Sequence, residues 1–245
     1  TVGEAHRRLS AAFRGAGVET PALDSRRLIA AALEGDPAMV VQSPERPLTA
    51  DQATQLASMS ARRLAREPVS RITGRRDFCG LSLDVEPATL DPRSDTETLI
   101  EGVLRLAAER RFPHPQGPRR ILDLGTGSGA ILIALLTSIP GATGVGVDTS
   151  QAALRVAARN ANRHGLSDRV DFRQGCWLDG VTGSFALVVS NPPYIPSADI
   201  PALEPEVRLY DPKTALDGGP DGLDAYRAIL AGVEKIRLTG GEPFA

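Results

Sequence analysis

Between Arg120 and Ser190, short apolar runs alternate with stretches of helical periodicity, and this constrains the fold more than any other feature. Arg120-Ile-Leu-Asp-Leu124, Gly144-Val-Gly-Val-Asp148, Val170-Asp-Phe-Arg173 and Phe185-Ala-Leu-Val-Val-Ser190 read as four strands. Ser128–Ser138 reads as a helix stopped by Pro140-Gly141. Ser150–His164 reads as another, with Ala153, Leu154, Ala157, Ala158 and Ala161 on one face and Gly165 closing it. Strands that alternate with helices predict an α/β fold, a parallel sheet covered on both faces. In such a sheet the carboxyl ends of neighbouring strands line one crevice, so candidate chemistry is sought there.

Two constellations fall at those ends. The first is the turn Asp123-Leu-Gly125-Thr126-Gly127-Ser-Gly129, followed by Asp148 at the end of the second strand, 23 residues past Gly125. Glycines let the backbone approach a ligand that a Cβ would push away, and an acid placed there suits ribose hydroxyls. The spacing is Gly-x-Gly-x-Gly, and the turn has no lysine for phosphates. That favours a nucleoside cofactor without a pyrophosphate. Cys176 and Trp177 end the third strand and should face the same ligand; Trp177 either packs on an adenine or belongs to the core.

The second constellation is Asn191-Pro192-Pro193-Tyr194. Each proline fixes φ near −65°, and the residue before a proline is held extended, so Asn191 projects in a set direction. The nitrogen of an amide or amino group conjugated to a π-system is a poor nucleophile. An asparagine oxygen and a rigid carbonyl can accept both of its N–H groups and free its lone pair, while Tyr194 lies against the flat face of the target. With the glycine turn, this reads as transfer of a methyl group from S-adenosylmethionine to a planar nitrogen, S-adenosylhomocysteine being the product. Positioning can contribute up to ~7–11 kcal/mol in such a reaction, and no general base is required.

The first 72 residues read as a small helical bundle. Ala5–Ala16 has Leu9, Ala12, Phe13 and Ala16 at helical spacing; Thr20-Pro21 reads as an N-cap before a stripe of Leu23, Arg27, Leu28, Ala31 and Ala32. Thr49-Ala-Asp-Gln52 is a capping-box pattern before Leu56, Met59, Ala61 and Leu64. Residues 73–92 read as a linker hairpin, and Asp95–Ala108 as a helix with Leu99, Val103, Leu104 and Ala107 inward. A proline-rich loop is expected at Pro113–Pro118.

Charge and cysteine content exclude several classes. Net charge is −2, with 12 Arg against 8 acidic residues through Arg76 and 16 basic against 22 acidic beyond it. The acidic second part argues against a nucleic-acid substrate. The basic first part suits either an acidic partner or plain solvation. Two distant cysteines, Cys79 and Cys176, and three unclustered histidines, His6, His114 and His164, predict no disulfide framework and no metal site; the histidines are expected at the surface. No apolar run approaches the ~20 residues of a membrane span, and no signal core opens the chain, so a cytoplasmic protein without membrane contact is expected.

Nearly the whole chain resembles the HemK/PrmC family of N5-glutamine methyltransferases. Asp77-Phe-Cys-Gly-Leu-Ser-Leu-Asp-Val resembles the family's linker hairpin, and Asp91-Pro-Arg-Ser-Asp-Thr-Glu97 its lead into the catalytic domain. Asp123 to Gly129, Asp148 and Asn191 to Tyr194 stand at matching positions, and Ala215-Leu-Asp-Gly-Gly-Pro-Asp-Gly-Leu223 resembles a late signature. Cys176 stands where a polar or acidic residue is common, and Ser94 where proline is common. The resemblance implies a Rossmann-like class I S-adenosylmethionine-dependent methyltransferase domain over residues 93–245, preceded by a release-factor-docking helical domain at 1–72. It also implies that the substrate is the glutamine of the Gly-Gly-Gln loop of peptide-chain release factors.

By that resemblance Asn191, Pro192, Pro193 and Tyr194 are the catalytic residues; Asn191 and the Pro192 carbonyl hold the glutamine amide with Tyr194, and Arg93, Pro92 and Glu97 shape an entrance. Asp123, Gly125, Thr126, Gly127, Gly129, Asp148, Cys176, Trp177 and Asn191 are the candidate cofactor residues. A monomer is expected. Further C-terminal strands, about 30–40 residues' worth, are expected to complete the sheet. The tetrad alone is shared with adenine-N6 methyltransferases of DNA and RNA, so those, and a non-catalytic cofactor- or release-factor-binding protein, are the alternatives.

Overall fold

The computed structural model describes residues 1–109 and 119–232. The expected loop at Pro113–Pro118, His114 and the chain from residue 233 onward lie outside the described residues. The chain divides into two units. One comprises Thr1–Gly74 with Glu204–Tyr210, and the other Arg75–Leu203 with Asp211 onward.

The first unit is helical: α1 (Val2–Gly15), α2 (Pro21–Ala32), α3 (Met39–Gln42), α4 (Ala50–Leu64), α5 (Val69–Thr73) and a short helix, Pro205–Arg208. Thr49 and Gln52 form the expected capping box, and Thr1 with Glu4 forms another. Thr20 takes the N-cap position of α2, but its hydroxyl donates to Asp24 Oδ1 at 2.9 Å instead of capping the backbone. Phe13, Leu28 and Ile29 are fully buried, each worth about 1.5–3 kcal/mol by burial alone.

The inward face of α2 differs from the expected stripe. Leu23 and Arg27 face solvent, while Asp24 and Ser25 are buried beside Leu28. The reason is polar pairing. Asp24 accepts from Arg63 Nε at 2.8 Å, and the Ser25 hydroxyl lies 2.8 Å from both Ser10 Oγ and His6 Nδ1. Likewise α4 turns Ser60 and Arg63 inward and leaves Ala61 and Leu64 exposed. His6 is thus half-buried and not a surface residue, and burial, helped by Arg26 and Arg7, lowers its pKa. His164, also half-buried, bonds the Ser82 carbonyl at 3.1 Å.

The segment Glu204–Tyr210 is held to this unit by ions. Glu206 accepts from Arg63 Nη1 at 3.0 Å and from Arg66 Nε and Nη2 at 2.6 and 2.7 Å. Burial opposes its charge, yet these hydrogen bonds hold its carboxyl below the usual range. Tyr210 donates to the Ala65 carbonyl at 2.8 Å.

The second unit opens on an antiparallel hairpin, β1 (Arg75–Phe78) and β2 (Leu81–Asp84). Its turn, Cys79-Gly80, has φ of 49° and 74°, the positive values that match a two-residue turn to strand twist. After α6 (Asp95–Ala108) come β3 (Arg120–Leu124), α7 (Ala130–Ser138), β4 (Thr143–Asp148), α8 (Gln151–Arg163), β5 (Val170–Gln174) and β6 (Leu187–Ser190). The strands are parallel in the order β5-β4-β3-β6. The order reverses beside β3, so β3, β4 and β6 end around a switch point.

Strand alternation builds two cores. Ile121 joins Phe78, Leu83, Val103 and the buried α7 on one side, while Leu122 and Leu124 join Val145, Val147 and Ile229 on the other. Asn160 ties the hairpin to the sheet: it accepts from Asp84 N at 2.7 Å and donates to the carbonyls of Asp84 and Ser128 at 3.0 and 2.9 Å. Every polar group of this fully buried amide is satisfied.

Candidate active site

The glycine turn leaves β3 and is pinned to the end of β4. The backbone N–H groups of Gly125 and Thr126 both donate to the Val147 carbonyl, at 2.8 and 3.0 Å. The Gly127 N–H donates to Asp148 Oδ2 at 2.9 Å, and the Ser150 N–H to Asp148 Oδ1 at 2.8 Å. Each carboxylate oxygen of Asp148 thus holds one backbone donor and keeps a lone pair for a ligand.

β6 delivers the tetrad beside this turn. Ser190 Oγ donates to the Leu124 carbonyl at 2.7 Å, locking the end of β6 to the end of β3. Asn191 follows, and its Nδ2 donates to Thr96 Oγ1 at 3.4 Å. With its nitrogen turned to α6, Asn191 keeps Oδ1 as an open acceptor.

One cleft of about 220 Å³ is lined by Gly125, Thr126, Gly127, Asp148, Cys176, Trp177, Asn191 and Pro193 together. The glycine turn therefore shares one space with Asn191 and Pro193 of the tetrad. Of the remaining candidates, Pro92 alone joins that lining. Asp123 is fully buried below the turn, accepting from Thr126 Oγ1 at 2.7 Å. Burial, with the charge of Asp148 adding to it, pushes its pKa up to about 7. Gly129 is a packing position, where a Cβ would stand 3.0 Å from Ile133 Cδ1 and 3.2 Å from Ala157 Cβ. Pro192 is buried, and Tyr194 is 58% exposed; neither lines the cleft. Arg93 is ion-paired to Asp211 and does not line it either, whereas Pro92 does. Glu97 accepts from the Cys79 N–H at 3.3 Å. Trp177 packs against the β3–β4 core, its core reading, and also lines the cleft.

The late signature meets the tetrad directly. Ile195 N–H donates to the Leu216 carbonyl at 3.1 Å, and Gly218 N–H to the Ile195 carbonyl at 2.9 Å. A Cβ on Gly218 would lie 2.8 Å from Tyr194 Cα, and one on Gly222 2.4 Å from the Tyr194 carbonyl oxygen. Only glycines let this loop brace the tetrad so closely.

Sequence reasoning missed several lining residues: Ala88, Leu90, Thr96, Thr214 and Ala215. It also missed Asp211, whose carboxylate receives the Asp91 N–H at 3.3 Å as well as Arg93. Asp211 joins the segment before α6 to Pro212–Ala215, so two distant stretches form one wall. The only sequence signal for Thr96 is its place within Asp91–Glu97.

The cleft's donor set fits S-adenosylmethionine. Asp148 offers lone pairs suited to vicinal hydroxyls, while Val147, Trp177, Leu90 and Ile131 give an apolar wall for a base. At Gly127, with φ of 56°, no atom lies within 4 Å of a would-be Cβ, so bare backbone faces open space. Among the described residues no group of His, Cys, Asp and Glu could hold a metal, and no helix is long and apolar enough to cross a membrane.

The catalytic domain of hMettl16, in complex with a MAT2A 3'UTR hairpin, superimposes with a TM-score of 0.50 at 18% identity, covering 74% of this chain and 61% of that one. This is a likeness of fold, and with the sheet order and the glycine turn it defines the class I S-adenosylmethionine-dependent methyltransferase fold. Residues 4–74 match the family described as PrmC N-terminal domain, and residues 109–201 the methyltransferase small domain. The chain is 48% identical over 241 residues to the release factor glutamine methyltransferase of Bradyrhizobium diazoefficiens, covering 98% of this chain and 80% of that protein. It is 50% identical over 227 residues to the protein of the same name from Rhodospirillum rubrum, covering 92% and 67%. The chain belongs to the release factor glutamine methyltransferase family.

Proposed function

We propose that this protein transfers a methyl group from S-adenosylmethionine to the side-chain amide nitrogen, N5, of the glutamine in the Gly-Gly-Gln loop of peptide-chain release factors. The supporting observation is that Asn191 and Asp148 line one cleft. Bound there, the cofactor supplies an electrophilic methyl group on a sulfonium sulfur. Asp148 and the Gly125–Gly127 backbone hold its nucleoside. Asn191 Oδ1 and the Pro192 carbonyl accept the two N–H groups of the glutamine amide and point its lone pair into the cleft. The amide proton leaves once the nitrogen carries the new bond, so no side-chain base is needed.

The helical unit docks the release factor. The protein acts in the cytoplasm as a monomer, without a nucleic-acid substrate. Incubation with tritiated S-adenosylmethionine and a release factor tests this reading. Label is expected in the release factor and absent when the loop glutamine is replaced; label that survives the replacement overturns the assignment.

A further inference from the structure

We infer that Thr96 is a positioning residue for Asn191, orienting the amide that receives the substrate. The inference rests on the proposed function. An asparagine side chain presents nearly the same shape in two orientations, one offering an oxygen to the cleft and the other an NH2 group. Only the first can accept from a carboxamide N–H. In the structure Asn191 Nδ2 faces Thr96 Oγ1 at 3.4 Å, and both residues line the cleft.

Thr96 is itself held. It sits in the first turn of α6, where its N–H donates to the Arg93 carbonyl at 3.1 Å. Arg93 is paired to the buried carboxylate of Asp211. The hydroxyl therefore projects from a fixed turn into the space beside β6. Because a hydroxyl both accepts and donates, Thr96 fixes the plane of the Asn191 amide, and an arriving carboxamide selects the orientation with Oδ1 outward. At 3.4 Å the bond is at the long end of the hydrogen-bond range, so its effect is on orientation and not on stability. Removing it leaves the Asn191 χ2 rotor unrestrained and the acceptor misaimed for part of the time.

Thr96→Val keeps the shape and removes the hydroxyl, while Thr96→Ser keeps the hydroxyl. Thr96→Val is expected to lower kcat for release-factor methylation about 10-fold, the effect of losing one weak orienting hydrogen bond. S-adenosylhomocysteine affinity by calorimetry should change less than about twofold, and Thr96→Ser should restore most of kcat. Equal kcat for wild type and Thr96→Val overturns the inference, as does a serine variant no better than the valine one. A second readout is independent of turnover. In 15N-labelled protein the Asn191 side-chain NH2 signals should shift in Thr96→Val and keep their positions in Thr96→Ser; unmoved signals in Thr96→Val overturn the inference. A wild-type enzyme silent on release factors would overturn the proposed function and leave this second readout to decide the role of Thr96.

Discussion

The Gly127 N–H and Asp148 Oδ2 lie 2.9 Å apart. The glycine turn after β3 and the acid that ends β4 are thus one structural piece, each holding the other in place. Asp148→Ala is expected to remove the proposed ribose acceptor and to loosen the turn. S-adenosylhomocysteine binding measured by calorimetry should weaken by about 10- to 100-fold, the range for losing hydrogen bonds to a charged group. Asp148→Asn keeps one acceptor oxygen and should lose less.

The braced tetrad makes Gly222 sensitive to size. Its φ is 76°, and a Cβ there would stand 2.4 Å from the Tyr194 carbonyl oxygen. Gly222→Ala should cost about 1–3 kcal/mol in urea unfolding and displace the tetrad, with turnover falling more than cofactor binding. Gly141→Ala is the control. It has a similar φ of 74° but no neighbour within 4 Å, so only about 1–2 kcal/mol of backbone strain is expected, with turnover unchanged.

Asp123 predicts a pH dependence of stability. Its carboxyl titrates at about 7 in the folded protein against 3.8 for the ordinary group. Between those values the folded state holds the proton that the unfolded state has released, so this group's contribution to stability falls as pH rises from about 4 to 7 and is constant above that window. Asp123→Asn removes this component. Urea midpoints taken at intervals across that range should give a variant-minus-wild-type difference that grows in the variant's favour with pH. A constant difference would contradict the assignment.

In the helical unit, Arg63 is buried between Asp24 and Glu206. Arg63→Met leaves Asp24 without this cation and should cost about 3–5 kcal/mol, as expected when one partner of a buried ion pair is removed. The double variant Arg63→Met/Asp24→Leu should recover part of that loss, measured by thermal unfolding.

The sheet strands, the glycine turn and the tetrad were legible because each is a local pattern: an apolar run, a φ requirement, two fixed prolines. Asp95–Ala108 and the Thr49 capping box were legible for the same reason. The inward face of α2 was not, because Asp24 is buried only through Arg63, 39 residues away. Thr96 and Asp211 were invisible on the same grounds. Their partners Asn191 and Arg93 stand 95 and 118 residues off, and no local pattern marks such a pairing. Asp123 and Gly129 sit in the motif yet serve the interior, since alternation along β3 and contact with α8 turn them away from the cleft.

The most direct test is a crystal structure of the protein with S-adenosylhomocysteine. The nucleoside is expected on Asp148, and the thioether sulfur is expected to face Asn191 Oδ1 across a gap that one carboxamide nitrogen and one methyl group fill. A nucleoside bound away from Asp148, or an Asn191 oxygen pointing out of the cleft in that complex, would contradict the account.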